Sequence, residues 1–263
     1  MKSSISEADI ENGIKSGYKI GLNCFTPMTT FMRNMEIILR MMLIHYGKLD
    51  MLPAIFGVVH ELVRFSVISN MRYLFYKKEN LEILNEDSFY ENEPEFLKTI
   101  SNQDINYREL LVSHKMYVQT ILEHNSEGFN ITVYNMSENF LDQEFYLRKY
   151  LRQAMQYTNI MDYFQDHPED PQGRNLGLAL SLILLRESGL RPDLMRMGKP
   201  GSKNYSRIEI PFNVDSYKSI RDKILNDELI VPFEKSNLIP PQFRKEFEAR
   251  RKQMEADLQV SNN

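Results

Sequence analysis

Tryptophan is absent from the chain, and cysteine occurs once, at Cys24. A single cysteine excludes an intramolecular disulfide framework and points to a reducing compartment. With no recognisable partner, Cys24 reads as a small buried apolar residue. No apolar run reads as long enough to cross a bilayer. The opening MKSSISEADIENG is polar and acidic, unlike a secretory signal, so a cytoplasmic location is expected. There is no excess of basic charge: the formal net charge is -4, which argues against a nucleic-acid partner. The basic stretch 244–252 is interleaved with acids and reads as a solvated helix face. Histidines are few and lack metal spacing. HELVR at His60 has no second histidine to complete a zinc-binding HExxH, so no metal is expected. No internal repeat or low-complexity segment is visible.

What remains is an ordinary globular composition. The chain has 263 residues, 42% of them hydrophobic and 26% charged, enough for one large domain or one domain with appendages. Fifteen methionines suit an irregular core. The chain is organised around residues 170–212. A turn at Gly173 leads into a helix that is apolar nearly all round, with Leu176, Leu178, Leu180, Leu182, Ile183 and Leu185, and therefore deeply buried. Gly189, followed by Leu190 and Pro192, predicts a left-handed helix ending. After a polar turn, 205–210 alternates as a strand, with Ile208 and Ile210 on one face and Arg207 and Glu209 on the other.

Upstream, residues to Ser16 read as a loose leader or a short polar helix, and 18–25 as a strand. Helical spacing runs from Thr29 to about Tyr46, closed by Gly47, and again from Pro53 to about Tyr76. Two consecutive helices with broad apolar faces need a shared surface, which a sheet supplies. The charged, Asn-rich stretch 77–94 reads as a loop, and 95–111 as short helices. Segments 116–123 and 129–135 form a hairpin with Phe129, Ile131 and Val133 facing the core. An amphipathic helix is expected over 141–156 and a mobile surface loop over 157–174. The tail holds a short helix near 217–225 and a charged helix over about 242–258. The expected division is a leader (1–16), a domain (17–212) and a helical extension (213–263).

The order of a long helix with HELVRFSVISN, a strand ending ITVYNMSEN, a lid-like loop, QGRNLGLAL and a strand RIEIP resembles the ATP-binding domain shared by histidine kinases, gyrase, a class of heat-shock chaperones and MutL. The resemblance covers roughly 29–212. It implies an α/β two-layer sandwich of the Bergerat type: a mixed, mostly antiparallel sheet with helices on one face and a flexible lid beside the pocket. It also implies sites. Glu61 matches the acid that orients water or ligand. The alternative for Glu61 is an ion pair with Arg64. Phe65, one turn later on the same face, stands where a metal-binding Asn is expected, and Phe cannot ligate Mg²⁺. Asn135 matches the Asp that accepts from the adenine amino group. The alternative is a turn residue closing a strand. Gly173, Arg174, Asn175 and Gly177 match the glycine box, whose backbone approaches phosphates. Its middle glycine is Asn175, which could instead cap the helix, and Arg174 could contact phosphate or be solvated.

With metal and glycine positions altered, the resemblance implies a signalling protein with a divergent, catalytically impaired ATP-binding domain. It would hold nucleotide weakly or bind a protein partner. ATP is the possible cofactor and Mg²⁺ a doubtful one. The alternatives are an active ATPase or protein kinase of the same superfamily, with Glu61 as general base, and an adaptor that binds no nucleotide. His45 lies too close to Glu61 in sequence to be the phosphoacceptor of a separate dimerising module.

Overall fold

The computed structural model describes residues 6–81, 86–101, 106–137, 151–168, 176–198 and 204–226. Its centre is a five-stranded open sheet of β1 (Ile20–Cys24), β2 (Val118–Asn125), β3 (Gly128–Asn135), β4 (Met195–Gly198) and β5 (Asn204–Pro211), in the order β1-β2-β3-β5-β4. Every strand pair is antiparallel, so the expected mixed sheet is corrected to a wholly antiparallel one among the described residues. The hairpin register Leu122↔Ile131 and the pairing Ile131↔Ile208 bring Leu122, Ile131 and Ile208 together in the buried core. Phe129, Ile131 and Val133 are buried as their alternation requires.

Helices pack around the sheet. They are α1 (Glu7–Lys15), α2 (Thr29–His45), α3 (Leu52–Lys78), α4 (Glu86–Ile100), α5 (Tyr107–Ser113), α6 (Ile160–Asp166), α7 (Leu176–Glu187) and α8 (Ile220–Leu225). The short N-terminal helix α1 starts at a capping box, in which Ser6 Oγ accepts from Asp9 N at 3.1 Å and Ser6 N donates to Asp9 Oδ2 at 3.3 Å. Its Ile10 and Ile14, one turn apart, are buried in the main core. Helix α3 is central. It packs on β2 and β3 and meets both α2 and α7. Pro53 in its first turn is pre-set for helix entry. Each fully buried Leu or Ile contributes roughly 1.5–3 kcal/mol, less whatever surface the unfolded chain already hides.

Helix α7 matches its pattern: Leu178, Leu182, Ile183 and Leu185 are buried, and Glu187 is its one exposed residue. It ends as expected. Gly189 has φ 73°, Leu190 N donates to Leu185 O at 2.9 Å, and Gly189 N donates to Arg186 O at 3.0 Å.

Three stretches differ from expectation. Helix α4 occupies part of the expected loop 77–94 and carries Pro94 inside it. It is docked by Arg72 Nη2 on Glu93 (2.8 and 3.0 Å) and by Phe96, fully buried against Phe75 and Tyr76. Helix α6 lies within the expected surface loop. Asn159 caps it by accepting from Asp162 N at 3.0 Å, and Tyr163 is buried. Strand β4 and a 3-10 turn (Pro192–Leu194) replace the expected polar turn. Most of the helix expected over 141–156, the end of the loop expected over 157–174 (from 169 on) and the helix expected over about 242–258 lie outside the described residues.

Leu49–Lys78 is long and apolar enough, by length and composition, to cross a membrane, where no such run was expected. In this fold 44% of its most apolar window is buried, and it carries buried Ser66, Asn70 and Arg72, the character of a core helix.

Candidate functional site

Helices α3 and α7 cross face to face. A Cβ on Gly57 would lie 3.0 Å from Leu184 Cδ1, and a Cβ on Gly177 would overlap Glu61 Oε2 and lie 2.8 Å from Arg64 Nη2. Residue 57 meets 184 and residue 61 meets 177, so the two helices run antiparallel. The Glu61 carboxylate therefore rests against the first turn of α7, where unpaired N–H groups and the helix dipole favour negative charge. Arg64 holds it there, with Nε 3.0 Å and Nη2 2.9 Å from Oε2, and His60 Nδ1 lies 3.3 Å from Oε1. The Glu61 side chain is 15% exposed and that of Arg64 41%. The expected alternative, a Glu61–Arg64 ion pair, is thus present, and it shares its position with the contact to Gly177. The missing side chain at Gly177 makes room for this pair.

Phe65, one turn beyond Glu61, is half-buried and packs on the main core. The buried side-chain oxygens that follow on α3 are those of Ser66, Ser69 and Asn70. Asn70 was not singled out from the sequence, yet it fixes the helix to the sheet. Its Nδ2 donates to Met116 O at 3.2 Å and Tyr117 O at 3.3 Å, and its Oδ1 accepts from Met136 N at 3.0 Å. A polar residue on the stripe Val59, Val63, Ser66, Asn70 was the available signal.

That bond also locates Asn135, the neighbour of Met136, at the Asn70 level of α3. Nine residues separate Glu61 from Asn70, about 13 Å along the helix. Asn135 is buried and paired in register with Asn204. Ser137 Oγ donates to Asn135 Oδ1 at 2.9 Å, and Asn204 Nδ2 donates to Ser137 O at 2.8 Å and Ser137 Oγ at 2.6 Å. A carbonyl only accepts, so the Asn204 amide nitrogen is fixed toward Ser137. Its Oδ1 then faces the other way, buried and with no hydrogen-bond partner among the described residues. A buried acceptor of this kind calls for a donor from water or a ligand. Asn204 was also not singled out beforehand.

Gly173, Arg174 and Asn175 lie outside the described residues. Of the expected site residues, Glu61 and Gly177 are brought into contact, and Asn135, at the end of β3, lies beside α3 at the level of Asn70. Cys24 is buried, and burial pushes its thiol up to about 12.

No family model and no solved structure matches the chain. It is similar to an uncharacterized protein of Treponema pallidum (strain Nichols), 23% identical over 160 residues. The match covers 60% of this chain and 31% of that protein, so the chain spans about a third of the relative's length.

Proposed function

We propose that this chain is a divergent histidine-kinase-type ATP-binding protein of signal transduction, impaired in phosphoryl transfer and acting through weak nucleotide binding or a protein partner. The contact that carries the reading is the crossing of α3 and α7, which sets Glu61 against Gly177. In a Bergerat-type arrangement the first turn of α7 would face the phosphates. The amide cluster of Asn135 and Asn204 would face the base, and Asn204 Oδ1 offers it an unused acceptor. Phosphoryl transfer needs a metal held by oxygen ligands, and Phe65 supplies none. Nucleotide would bind without the magnesium bridge that positions a γ-phosphate. Calorimetric titration of the full chain with ATP, with and without Mg²⁺, tests this. Tight, magnesium-dependent binding with turnover would overturn the impaired reading in favour of an active ATPase or kinase.

A second reading, an adaptor that binds no nucleotide, is favoured by one observation. The Glu61 carboxylate, clamped by Arg64, already supplies the negative charge at the head of α7. Absence of any ATP-induced thermal shift in the folded chain would select it.

A further inference from the structure

The face of the sheet turned away from α3 carries a group of arginines that the proposed nucleotide site does not use. Arg196 of β4 and Arg207 of β5 are direct cross-strand partners. Their Cβ atoms are therefore about 5 Å apart, an arrangement that disfavours like charges. Arg221, exposed on α8, lies near enough for its charge to act on Arg196. Burial and then the charge of Arg221 lower the affinity of the Arg196 guanidinium for its proton, opposed by the carboxylates of Asp193 and Glu209, with Arg207 adding a weaker lowering. The surrounding acids are largely committed. Glu209, 1% exposed, accepts from Arg207 Nη2 at 2.9 Å, Tyr217 Oη at 3.0 Å and Ile220 N at 2.9 Å. Asp193 is forked onto Arg191 at 3.0 and 2.6 Å. Asp222 takes up Ser219, with Oγ at 2.7 Å and N at 3.3 Å.

Arg196 and Arg221 make no hydrogen bond or ion pair among the described residues, and Arg207 Nε is buried without a partner. Arg191, Arg196, Arg207 and Arg221 thus outnumber Asp193, Glu209 and Asp222 by one charge, and the Arg196 guanidinium and Arg207 Nε keep unused donors among the described residues. Half-buried guanidinium groups of this kind are costly unless an anion satisfies them, and their planar forks match the oxygens of phosphate.

We propose that Arg196, Arg207 and Arg221 form an oxyanion site on the outer face of the β4–β5 edge, which takes a phosphate dianion, free or as a phosphate monoester. The site is independent of the α3–α7 crossing. It ties occupancy to the docking of α8, because the Glu209 that steadies Arg207 also holds Tyr217 and the head of α8.

The test is calorimetric titration of the full chain with inorganic phosphate and, separately, phenyl phosphate. Ionic strength is held constant with chloride. Saturable binding is expected. Arg196→Gln should weaken it about tenfold or more, and Arg33→Gln, at an exposed position on α2, should leave it unchanged. In phosphate-free buffer Arg196→Gln should unfold at or above the wild-type midpoint, because it removes an unpaired, half-buried charge. Arg221→Gln, at an exposed position, is the second variant and should weaken binding in the same sense. Tighter phenyl phosphate binding assigns the site to phosphate monoesters, and equal binding assigns it to the free ion. Absence of saturable binding, or affinity unchanged in Arg196→Gln or in Arg221→Gln, overturns the proposal.

Discussion

Gly177→Ala combined with Glu61→Ala probes the contact on which the functional reading rests. Near the start of α7, replacing glycine by alanine should stabilise the helix by about 0.5–1 kcal/mol. In the wild type that gain is opposed, because the new Cβ overlaps Glu61 Oε2 and lies 2.8 Å from Arg64 Nη2. Both obstacles are ends of flexible side chains, so they can withdraw, but withdrawal breaks the Glu61–Arg64 pair. With Glu61 at 15% and Arg64 at 41% exposure, solvent screens that pair, and its loss costs roughly 0.5–1 kcal/mol. Removing the carboxylate from the helix terminus adds about 0.3–1 kcal/mol. Gly177→Ala alone should therefore be neutral or lose up to about 1.5 kcal/mol, whereas in the Glu61→Ala background it should gain about 0.5–1 kcal/mol. Urea melts of the four proteins give the coupling, expected at about 1 kcal/mol. Additivity within about 0.3 kcal/mol would show that the two residues do not meet and would remove the crossing as a basis for function.

Asn70→Ala should cost about 3 kcal/mol in denaturant melts, because it leaves Met136 N–H and two carbonyls without partners in the interior. A loss below about 1 kcal/mol would mean the helix is not fastened there. Gly128→Ala should destabilise by about 2 kcal/mol, since the added Cβ overlaps Ile210 O and lies 2.9 Å from Pro211 Cα, and backbone cannot step aside as side chains can. Near-neutrality would refute the β3–β5 register at that end. Burial, reinforced by the charge of His45, lowers the affinity of His124 for its proton below the usual 6.5, while its Nδ1 lies 2.6 Å from Tyr46 Oη. The unfolded chain then binds that proton first. Stability should fall as pH drops through about 6.5, and His124→Gln should flatten the fall; an unchanged slope would show that His124 is not its source.

Much of the fold could be read from local pattern. Helix α7 is apolar on every side and stops at a glycine with the required backbone angle, so neither its burial nor its end depends on distant residues. The β2–β3 hairpin shows its inward residues Phe129, Ile131 and Val133 at every second position of β3 and turns where Asn125 Oδ1 accepts from Glu127 N at 2.8 Å. What local pattern could not supply was tertiary. The helix α4 is charged and interrupted by Pro94, and only the partners Arg72, Phe75 and Tyr76 make it a docked element. Strand β4 is four residues long, too short to show a period. At the site, resemblance put Glu61 and Gly177 on one pocket, but nothing in the sequence said that the carboxylate itself fills the space of the missing side chain. Asn70 and Asn204 escaped notice for a related reason: a buried amide is significant only once its partners across the fold are visible.

The most direct test of the whole account is calorimetry of the intact chain with ATP, run with and without Mg²⁺ and paired with a phosphate-release assay. The account predicts weak binding that magnesium leaves unchanged within about twofold, and no phosphate release, because Phe65 brings no oxygen to the metal. Tight binding that requires magnesium and is accompanied by turnover would contradict it.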